Sequence, residues 1–211
     1  MGQRFMRRRA ALLGGLGAVA AMGVAGSQWL AHAQGSPRAG TQVNPNTIFR
    51  DPGDPVLGNP NGSLTIAEFF DYRCPFCVRM HPLLNRLLQE DRDIRLVIKE
   101  WPVFGGASVT AAKVALAANW QGRFVPVHEA LFEHGRALDE AKVRAAAEKA
   151  GMDMARLDSD LSGRATDLQA SLGRVSMQAN ALGLQGTPAY VVGPYLVPGA
   201  MTYDTLLQVV A

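Results

Sequence analysis

The two cysteines of the chain lie close together, in the segment Cys74-Pro75-Phe76-Cys77. A disulfide that closes so short a loop removes little conformational entropy from the unfolded chain, so it would add little to stability. The pair therefore indicates redox chemistry or metal binding rather than a structural cross-link.

The residues around the cysteines indicate which thiol reacts first. Cys74 is predicted to start a helix, where unpaired backbone N–H groups and the positive end of the helix dipole favour a thiolate. Arg73 adds a cation beside it, which Asp71 partly opposes. Cys77, one helical turn further on, is placed to donate an S–H hydrogen bond to the Cys74 sulfur. We expect Cys74 to be the attacking thiol and Cys77 to be the resolving thiol.

A carboxylate, Glu68, lies six residues before Cys74 in an otherwise apolar strand pattern. Because a buried carboxylate is costly unless it has a use, we predict that Glu68 accepts the proton of Cys77 and has a raised pKa. Lys99, at the end of the neighbouring predicted strand, is expected to reach Glu68. The structural alternative for Glu68 is an exposed strand-end residue paired with an arginine. The alternative for Lys99 is an ordinary lysine at a strand end.

A Thr187-Pro188 step stands immediately before the third predicted core strand. A proline at a strand start is ordinary, but together with the cysteine pair it suggests a cis proline that presents Thr187 backbone groups to a substrate strand. Phe76, with Phe70 and Tyr72, is a candidate apolar rim for unfolded segments, although aromatic residues at this spacing more often pack in a core. The candidate substrate-binding residues are Pro75, Phe76, Thr187 and Pro188.

The pattern of apolar residues predicts an α/β fold. Residues 64–70 and 94–99 are short apolar runs, which indicates strands covered on both faces. A helical pattern over residues 74–89 joins them, and such a β-α-β unit calls for a parallel sheet. The remaining core elements are predicted strands at 189–192 and 195–197 and a last helix at 202–210.

A helical insert is predicted between the second and third core strands, over residues 105–183, because this stretch is rich in alanine and has no strand pattern. Its helices are predicted at residues 107–120, 124–134, 139–150 and 171–181. The core domain then comprises residues 62–104 and 184–211.

The first 33 residues have the pattern of a cleaved signal peptide. Basic residues precede an uncharged apolar run, and Ala31-His32-Ala33 fits the small-x-small pattern that signal peptidase accepts. The alternative is an uncleaved membrane anchor. Export would place the cysteines in an oxidising compartment, where disulfides persist. Residues 34–61 are rich in Gly, Pro and Asn and are predicted to form an extended N-terminal arm.

The composition of the 211 residues is that of an ordinary globular protein, with 48% hydrophobic and 18% charged residues. Four of the 21 Lys and Arg residues lie in the first 33 residues, which contain no Asp or Glu. The remaining residues therefore contain 17 basic and 18 acidic side chains. The folded part therefore lacks the basic excess that a nucleic-acid binder carries. Collagen, coiled coil, disulfide-rich miniprotein and multi-span membrane protein are excluded by the same arithmetic.

Several features together resemble the DsbA-type thiol:disulfide oxidoreductases, which are thioredoxin-fold proteins of the bacterial periplasm. The resemblance covers residues 54–210. The features that carry it are Glu68-Phe-Phe-Asp-Tyr-Arg-Cys74-Pro-Phe-Cys77, Gly186-Thr-Pro-Ala, Pro82 and the helical insert. The resemblance implies a nucleophilic Cys74, a resolving Cys77, a cis Pro188 and a buried charged pair of Glu68 with Lys99.

Two departures from the strongest oxidases bear on the activity. Phe76 stands where those oxidases have a histidine that helps to stabilise the thiolate. Thr187 before the proline is shared with isomerase-like DsbC, DsbG and Scs-type proteins, which rely on an N-terminal oligomerisation segment. The predicted arm is unsuited to forming a long helix, so we favour a monomeric dithiol oxidase, with an Scs-type isomerase or reductase as the alternative.

Metal binding is an alternative of another class. Cys74 and Cys77 with two of His81, His128 and His134 would make a zinc set, and two thiolates alone suit Cu(I). The sequence has no second close ligand pair at zinc-finger spacing. We therefore expect no bound metal and no cofactor, and a copper(I)-binding periplasmic protein is the remaining alternative.

The sequence thus predicts an enzyme of the periplasm that exchanges disulfides with exported proteins. Its expected partners are unfolded or partly oxidised exported proteins and an unidentified membrane redox partner. No nucleic-acid partner is expected.

Overall fold

The computed structural model describes residues 44–211. The predicted signal peptide and the first ten residues of the predicted arm lie outside the described residues. The described elements, in chain order, are α1 (Pro45–Phe49), β1 (Val56–Gly58), β2 (Leu64–Phe70), α2 (Pro75–Glu90), β3 (Ile94–Glu100), α3 (Ala107–Trp120), α4 (Phe124–Phe132), a 3-10 turn (Gly135–Ala137), α5 (Glu140–Lys149), α6 (Met154–Gly163), α7 (Ala165–Ala181), β4 (Ala189–Val192), β5 (Tyr195–Pro198) and α8 (Tyr203–Val210).

The strands form one five-stranded sheet in the order β1-β3-β2-β4-β5. β2 and β3 are parallel, whereas β1, β4 and β5 each run antiparallel to their neighbours. The parallel pair joined by α2 confirms the predicted β-α-β unit and the α/β class. Five α-helices between residues 107 and 181 separate β3 from β4, as the predicted insert requires.

The pairing register of β2 and β3 decides which side chains share a face of the sheet. Glu68 is paired with Ile98, and Phe69 is paired with Lys99. Because side chains alternate between faces along a strand, Glu68 and Lys99 project from opposite faces. The face of Glu68 packs against α2 and the insert, and the other face packs against α1 and α7.

The predicted extended arm is wrong for the part that the structure describes. Asn44 caps α1 by accepting a hydrogen bond from the Asn46 N–H at 3.0 Å, and Pro45 occupies the first helical position, where proline is tolerated. The strand β1 then pairs with β3 and becomes an edge of the sheet. Both elements are too short to produce a periodic pattern, and only turn residues stand out in this part of the sequence.

The insert differs from its prediction at α6 and α7. The helix α6 was missed because its apolar stripe is short: only Leu157 is fully buried, and Met154 and Leu161 are partly buried beside it. Asp153 starts this helix by accepting a hydrogen bond from the Arg156 N–H at 2.9 Å. The helix α7 begins six residues before its predicted start at Ser171 and covers the sheet with Val175 and Ala179. None of the helices described here is both long and apolar enough to cross a membrane.

Candidate active site

Cys74 is the N-terminal cap residue of α2, directly after the loop that follows β2. Pro75 occupies the first position of the helix and is half-buried, and its missing N–H costs nothing there because that N–H would have no helical partner. The first N–H groups of the helix therefore point toward the Cys74 sulfur, and those of Phe76 and Cys77 both lower the pKa of its thiol.

The loop before the cysteine is held by Asp71, which is buried. Its carboxylate accepts hydrogen bonds from the Arg73 N–H at 2.8 Å, the Ser108 hydroxyl at 2.8 Å and the Phe104 N–H at 3.0 Å. The sequence placed Asp71 beside the cysteine only as an opposing charge. Its anchoring role was missed because two of its three partners, Phe104 and Ser108, lie more than thirty residues away in the chain.

The two thiols are free in this structure and have very different environments. The pKa of Cys74 is lowered to about 5, mainly because the Cys77 thiol donates a hydrogen bond to its sulfur, and burial partly opposes the shift. The pKa of Cys77 is raised, mainly by burial and then by its hydrogen bond to Cys74 and the charge of Glu68. This asymmetry supports the predicted attacking and resolving roles.

Thr187 faces Cys74 from the start of β4. The Cys74 thiol donates a hydrogen bond to the Thr187 carbonyl oxygen over 3.2 Å, and the Thr187–Pro188 peptide bond is cis. The hydroxyl of Thr187 is buried with no hydrogen-bond partner in the described residues. A thiolate on Cys74 would supply the acceptor that this hydroxyl lacks, in keeping with the lowering effect of Thr187 on the Cys74 pKa.

Glu68 is buried on the α2 face of the sheet, at 3% exposure, so the alternative of an exposed strand-end carboxylate is wrong. It accepts a hydrogen bond from the Tyr190 hydroxyl at 3.3 Å. Burial raises the pKa of Glu68 to about 8, although the Tyr190 bond acts in the opposite direction. Its ionised form would raise the pKa of Cys77 further, and its role in proton transfer stays a prediction.

Lys99 does not belong to this site, which corrects the predicted pair with Glu68. It is fully buried on the opposite face of the sheet, where its ammonium forms an ion pair with Asp54 and donates to the Thr47 carbonyl at 3.2 Å. Burial lowers the pKa of Lys99, and the charge of Asp54 opposes this effect. Lys99 therefore secures the N-terminal segment to the sheet.

Two adjacent apolar clefts open beside Cys74. One, of about 460 Å³, is lined by Cys74, Phe76, Trp101, Phe104, Arg136 and Thr187. The other, of about 430 Å³, is lined by Phe76, Leu184, Thr187, Pro188, Leu196 and Pro198. Cys74 is only 2% exposed, yet it lines the first cleft, whereas Cys77 is fully covered. An incoming sulfur would therefore meet Cys74 first.

Of the three residues of the predicted aromatic rim, only Phe76 is exposed, at 48%, and it lines both clefts. Phe70 and Tyr72 are buried in the core. The rim is completed instead by Val103 and Phe104, which are 44% and 53% exposed. The sequence did not signal these two because nothing local connects them with the cysteines.

A buried polar cluster lies behind the site. The Tyr72 hydroxyl is 2.9 Å from both Oε1 of Glu100 and Nδ1 of His128. Burial raises the pKa of Glu100 and lowers that of His128, so both groups favour their neutral forms. His81 contacts Glu129 instead, at 2.8 Å.

The histidines that were considered as zinc ligands do not converge on the cysteines. Within residues 44–211, no three His, Cys, Asp or Glu side chains come together in a group that could hold a metal ion. His81 and His128 have the hydrogen-bond partners described above.

A family model described as DSBA-like thioredoxin domain matches residues 65–211. The chain also spans 23% of the length of a curated relative, the Na(+)/H(+) antiporter NhaA 3 of Salinispora tropica, with 29% identity over 153 residues. The similarity is therefore to a minor part of that protein.

Solved structures similar to this chain include three thioredoxin-like proteins. A thioredoxin-like oxidoreductase from Silicibacter pomeroyi is 40% identical with a TM-score of 0.74, covering 79% of this chain and 95% of its own. A periplasmic thioredoxin-like protein from Salmonella enterica serovar Typhimurium is 33% identical with a TM-score of 0.70, and the match covers 78% of this chain and 92% of that protein. The catalytic domain of Proteus mirabilis ScsC is 29% identical with a TM-score of 0.71, and the match covers 78% of this chain and 91% of that domain.

Proposed function

Because the chain belongs to the DSBA-like thioredoxin-domain family, we propose that Cys74 and Cys77 carry its activity and that it acts mainly as a dithiol oxidase. The family and the similar oxidoreductases establish the α/β thioredoxin fold and the enzyme class, a thiol-disulfide oxidoreductase. We propose, in addition, the direction of the reaction, the roles of the site residues and the clients.

The observation that carries the proposal is the lowered pKa of Cys74, about 5, beside a buried thiol whose pKa is raised. A low pKa makes Cys74 a good leaving group and stabilises the reduced pair. Each unit of pKa below ambient pH makes the couple about 30 mV more oxidising. These properties favour donation of the disulfide to a client.

In the proposed reaction a client thiolate attacks the Cys74 sulfur of the Cys74–Cys77 disulfide and releases Cys77 as a thiolate. A second client thiolate then attacks the client sulfur of the mixed disulfide and releases the Cys74 thiolate. The client loses two electrons and two thiol protons and gains a disulfide, and the cysteine pair is reduced. The released Cys77 takes up one proton, because the pKa of its thiol is raised in this site.

We assign that proton to Glu68. Its pKa of about 8 keeps its carboxyl group largely protonated at neutral pH, and a protonated carboxyl can donate to the leaving thiolate of Cys77. In the reverse reaction Glu68 accepts the same proton. The Tyr190 hydroxyl holds this carboxyl by donating a hydrogen bond to it at 3.3 Å.

The proposed clients are unfolded or partly oxidised exported proteins. The two clefts beside Cys74 are apolar and share Phe76 and Thr187, so they suit an extended apolar segment that also meets the Thr187 backbone. The N-terminal signal pattern and the periplasmic relative from Salmonella support action in the periplasm. An unidentified membrane redox partner would restore the disulfide.

An isomerase or reductase of Scs type is the second candidate. It is favoured by Thr187 before the proline and by the similarity to the catalytic domain of Proteus mirabilis ScsC. We favour the oxidase because of the Cys74 pKa, and we expect a monomer.

The test compares two substrates of the mature protein. If it is an oxidase, the oxidised protein transfers its disulfide rapidly to reduced, unfolded ribonuclease A but reactivates scrambled ribonuclease slowly. Faster reactivation of the scrambled protein would favour the second candidate. Cys74→Ala should abolish both activities and the reduction of insulin by dithiothreitol. Absence of all three activities in the unaltered protein would contradict the assignment to Cys74 and Cys77.

A further inference from the structure

We propose that the active site selects client cysteines that are flanked by acidic residues, through arginines around its mouth. This inference rests on the proposed function, because it concerns which protein thiols reach Cys74. It adds a charge preference to the apolar clefts.

Three arginines surround the reactive cysteine. Arg73 directly precedes it, and Arg136 lines the same cleft as Cys74. Arg79 places its guanidinium carbon 4.5 Å from the centre of the Phe76 ring, and Phe76 borders both clefts. The cations therefore approach the mouth of the site from α2 and from the insert.

The position of Arg136 is fixed by packing of the 3-10 turn on α2. A Cβ built on Gly135 would lie only 3.2 Å from the Cγ2 atom of Val78, which lies one helical turn after Cys74. A larger residue at Gly135 would force the turn away from the helix. The Arg136 side chain is itself exposed.

These arginines lack acidic partners. In residues 44–211, neither Arg73, Arg79 nor Arg136 lies within ion-pair distance of a carboxylate, and Nε of Arg73 is buried without a hydrogen-bond partner. Other arginines of the domain are paired, as Arg86 is with Glu90 and Arg144 with Asp158. The positive charge at the mouth is therefore available to a client.

The carboxylates nearest to the site do not cancel this charge. Glu68 and Glu100 are buried, and burial raises the pKa of each carboxyl toward its neutral form. Asp71 is buried as well and accepts hydrogen bonds from three donors, one in its own loop, one in the loop before α3 and one in α3. The charge that faces the clefts is thus positive, although residues 34–211 carry slightly more acids than bases.

A carboxylate beside the client cysteine fits this arrangement. Arginine presents a planar set of donors that matches a carboxylate, and clefts lined by one sign of charge raise association rates by about 10-fold or more at low salt. A lysine at the same client position would be repelled. We therefore expect the preference to appear in the rate of the first exchange step and to weaken with salt.

The experiment uses the oxidised mature protein and two dithiol peptides that differ only in the residues flanking the first cysteine, which are glutamates in one and lysines in the other. Stopped-flow measurement follows reduction of the protein. Flanking charges also change the reactivity of the peptide thiols themselves, so each rate is divided by the rate of the same peptide with the uncharged disulfide 4,4′-dithiodipyridine. The expected ratio of normalised rates is about 10 in favour of the glutamate peptide at low ionic strength.

Matched variants locate the effect. Arg136→Gln and Arg79→Gln should each lower the ratio, and the triple variant that also carries Arg73→Gln should bring it near 1. Arg92→Gln removes the same charge from an exposed position beyond the far end of α2, about 24 Å along a 16-residue helix, and should leave the ratio unchanged. Raising the salt from about 0.01 M to about 1 M shortens the Debye length from about 30 Å to about 3 Å, so the ratio should fall toward 1.

A ratio near 1 for the unaltered protein at low salt would overturn the proposed selectivity while leaving the proposed function standing. A ratio that stays high in the triple variant would overturn the assignment to these arginines. If neither peptide reduces the protein, the proposed function itself fails, and this inference fails with it.

Discussion

Glu68 and Lys99 lie on neighbouring strands but on opposite faces of the sheet, because Glu68 is paired with Ile98 and Phe69 is paired with Lys99. Lys99 compensates Asp54 on one face. On the other face Glu68 has Tyr190 as its hydrogen-bond partner and no cation within ion-pair distance in residues 44–211. The two groups therefore have separate roles, one in the site and one in stability, and they can be tested separately.

Glu68→Gln should flatten the dependence of stability on pH. The pKa of Glu68 is about 8 in the folded protein against an ordinary value of 4.5, so the folded state retains a proton that the unfolded state releases. Its stabilising contribution is complete below pH 4.5 and is lost as the pH rises through 8, by at most about 5 kcal/mol. Urea unfolding at several pH values between 5 and 9 measures this slope.

The matched control is Glu148→Gln, which changes an exposed carboxylate on α5 and should preserve the slope. If Glu68→Gln and the unaltered protein lose stability equally between pH 5 and 9, Glu68 does not hold its proton as described.

Lys99→Met should destabilise the protein by about 3–5 kcal/mol, because it leaves the buried carboxylate of Asp54 without its cation. Adding Asp54→Leu should recover part of the loss, since the unpaired charge is then removed as well. Urea unfolding measures both effects. Lys142→Met, which breaks an exposed ion pair with Asp139, should cost about 1 kcal/mol or less.

The same Lys99 variant, where it is folded, should keep the unaltered pH dependence of Cys74 alkylation. A shifted Cys74 profile without loss of stability would place Lys99 back in the active site.

Cys77→Ala should raise the pKa of Cys74 from about 5, because the largest lowering effect is the hydrogen bond from the Cys77 thiol. A hydrogen bond to a charged group contributes about 1.5–3 kcal/mol, which corresponds to a rise of about 1–2 pKa units. Cys77→Ser retains a donor at this position and should show a smaller rise. Thiolate ultraviolet absorbance measured against pH gives both values, and equal pKa values in both variants and the unaltered reduced protein would contradict the role of this bond.

Tyr72→Phe should cost about 1–3 kcal/mol of stability, because it leaves the buried Glu100 and His128 without their shared partner. Tyr203→Phe is the matched control, since its hydroxyl bonds to an exposed Glu90 at 2.7 Å, and it should cost about 0.5 kcal/mol or less. Equal losses of unfolding free energy in the two variants would show that the buried hydrogen bonds of Tyr72 stabilise the protein no more than the exposed bond of Tyr203 does.

The elements nearest the cysteines were predictable from the sequence because their signals are local. The apolar run at β2, the helical pattern of α2 and the Thr187-Pro188 step all matched the structure within a few residues. Cys74 at the start of a helix and Cys77 one turn later followed from the same pattern.

The Lys99 prediction failed because of the register between β2 and β3. Both strands are buried almost throughout, so their sequences lack the alternation that would show which face each side chain occupies. A shift of one position in pairing moves a side chain to the other face. The position of Lys99 near the end of β3 was therefore not enough to predict a pair with Glu68.

The walls of the clefts were not predictable for a different reason. Phe104 and Arg136 come close to Cys74 only after the insert folds over α2, and neither has a local pattern that marks it. The short elements α1 and β1 were likewise missed, because their stability comes from contacts with the sheet and α7 rather than from their own sequences.

The redox potential of the Cys74–Cys77 pair, measured by equilibration with glutathione, tests directly whether Cys74 is a stabilised thiolate in an oxidising pair. Thioredoxin, with a cysteine pKa of about 7, has a potential of about −270 mV. A Cys74 pKa of about 5 is two units lower, which predicts a potential of about −210 mV or less negative, at about 30 mV per unit. A potential of about −270 mV or more negative would contradict the account of Cys74 as a stabilised thiolate in an oxidising pair.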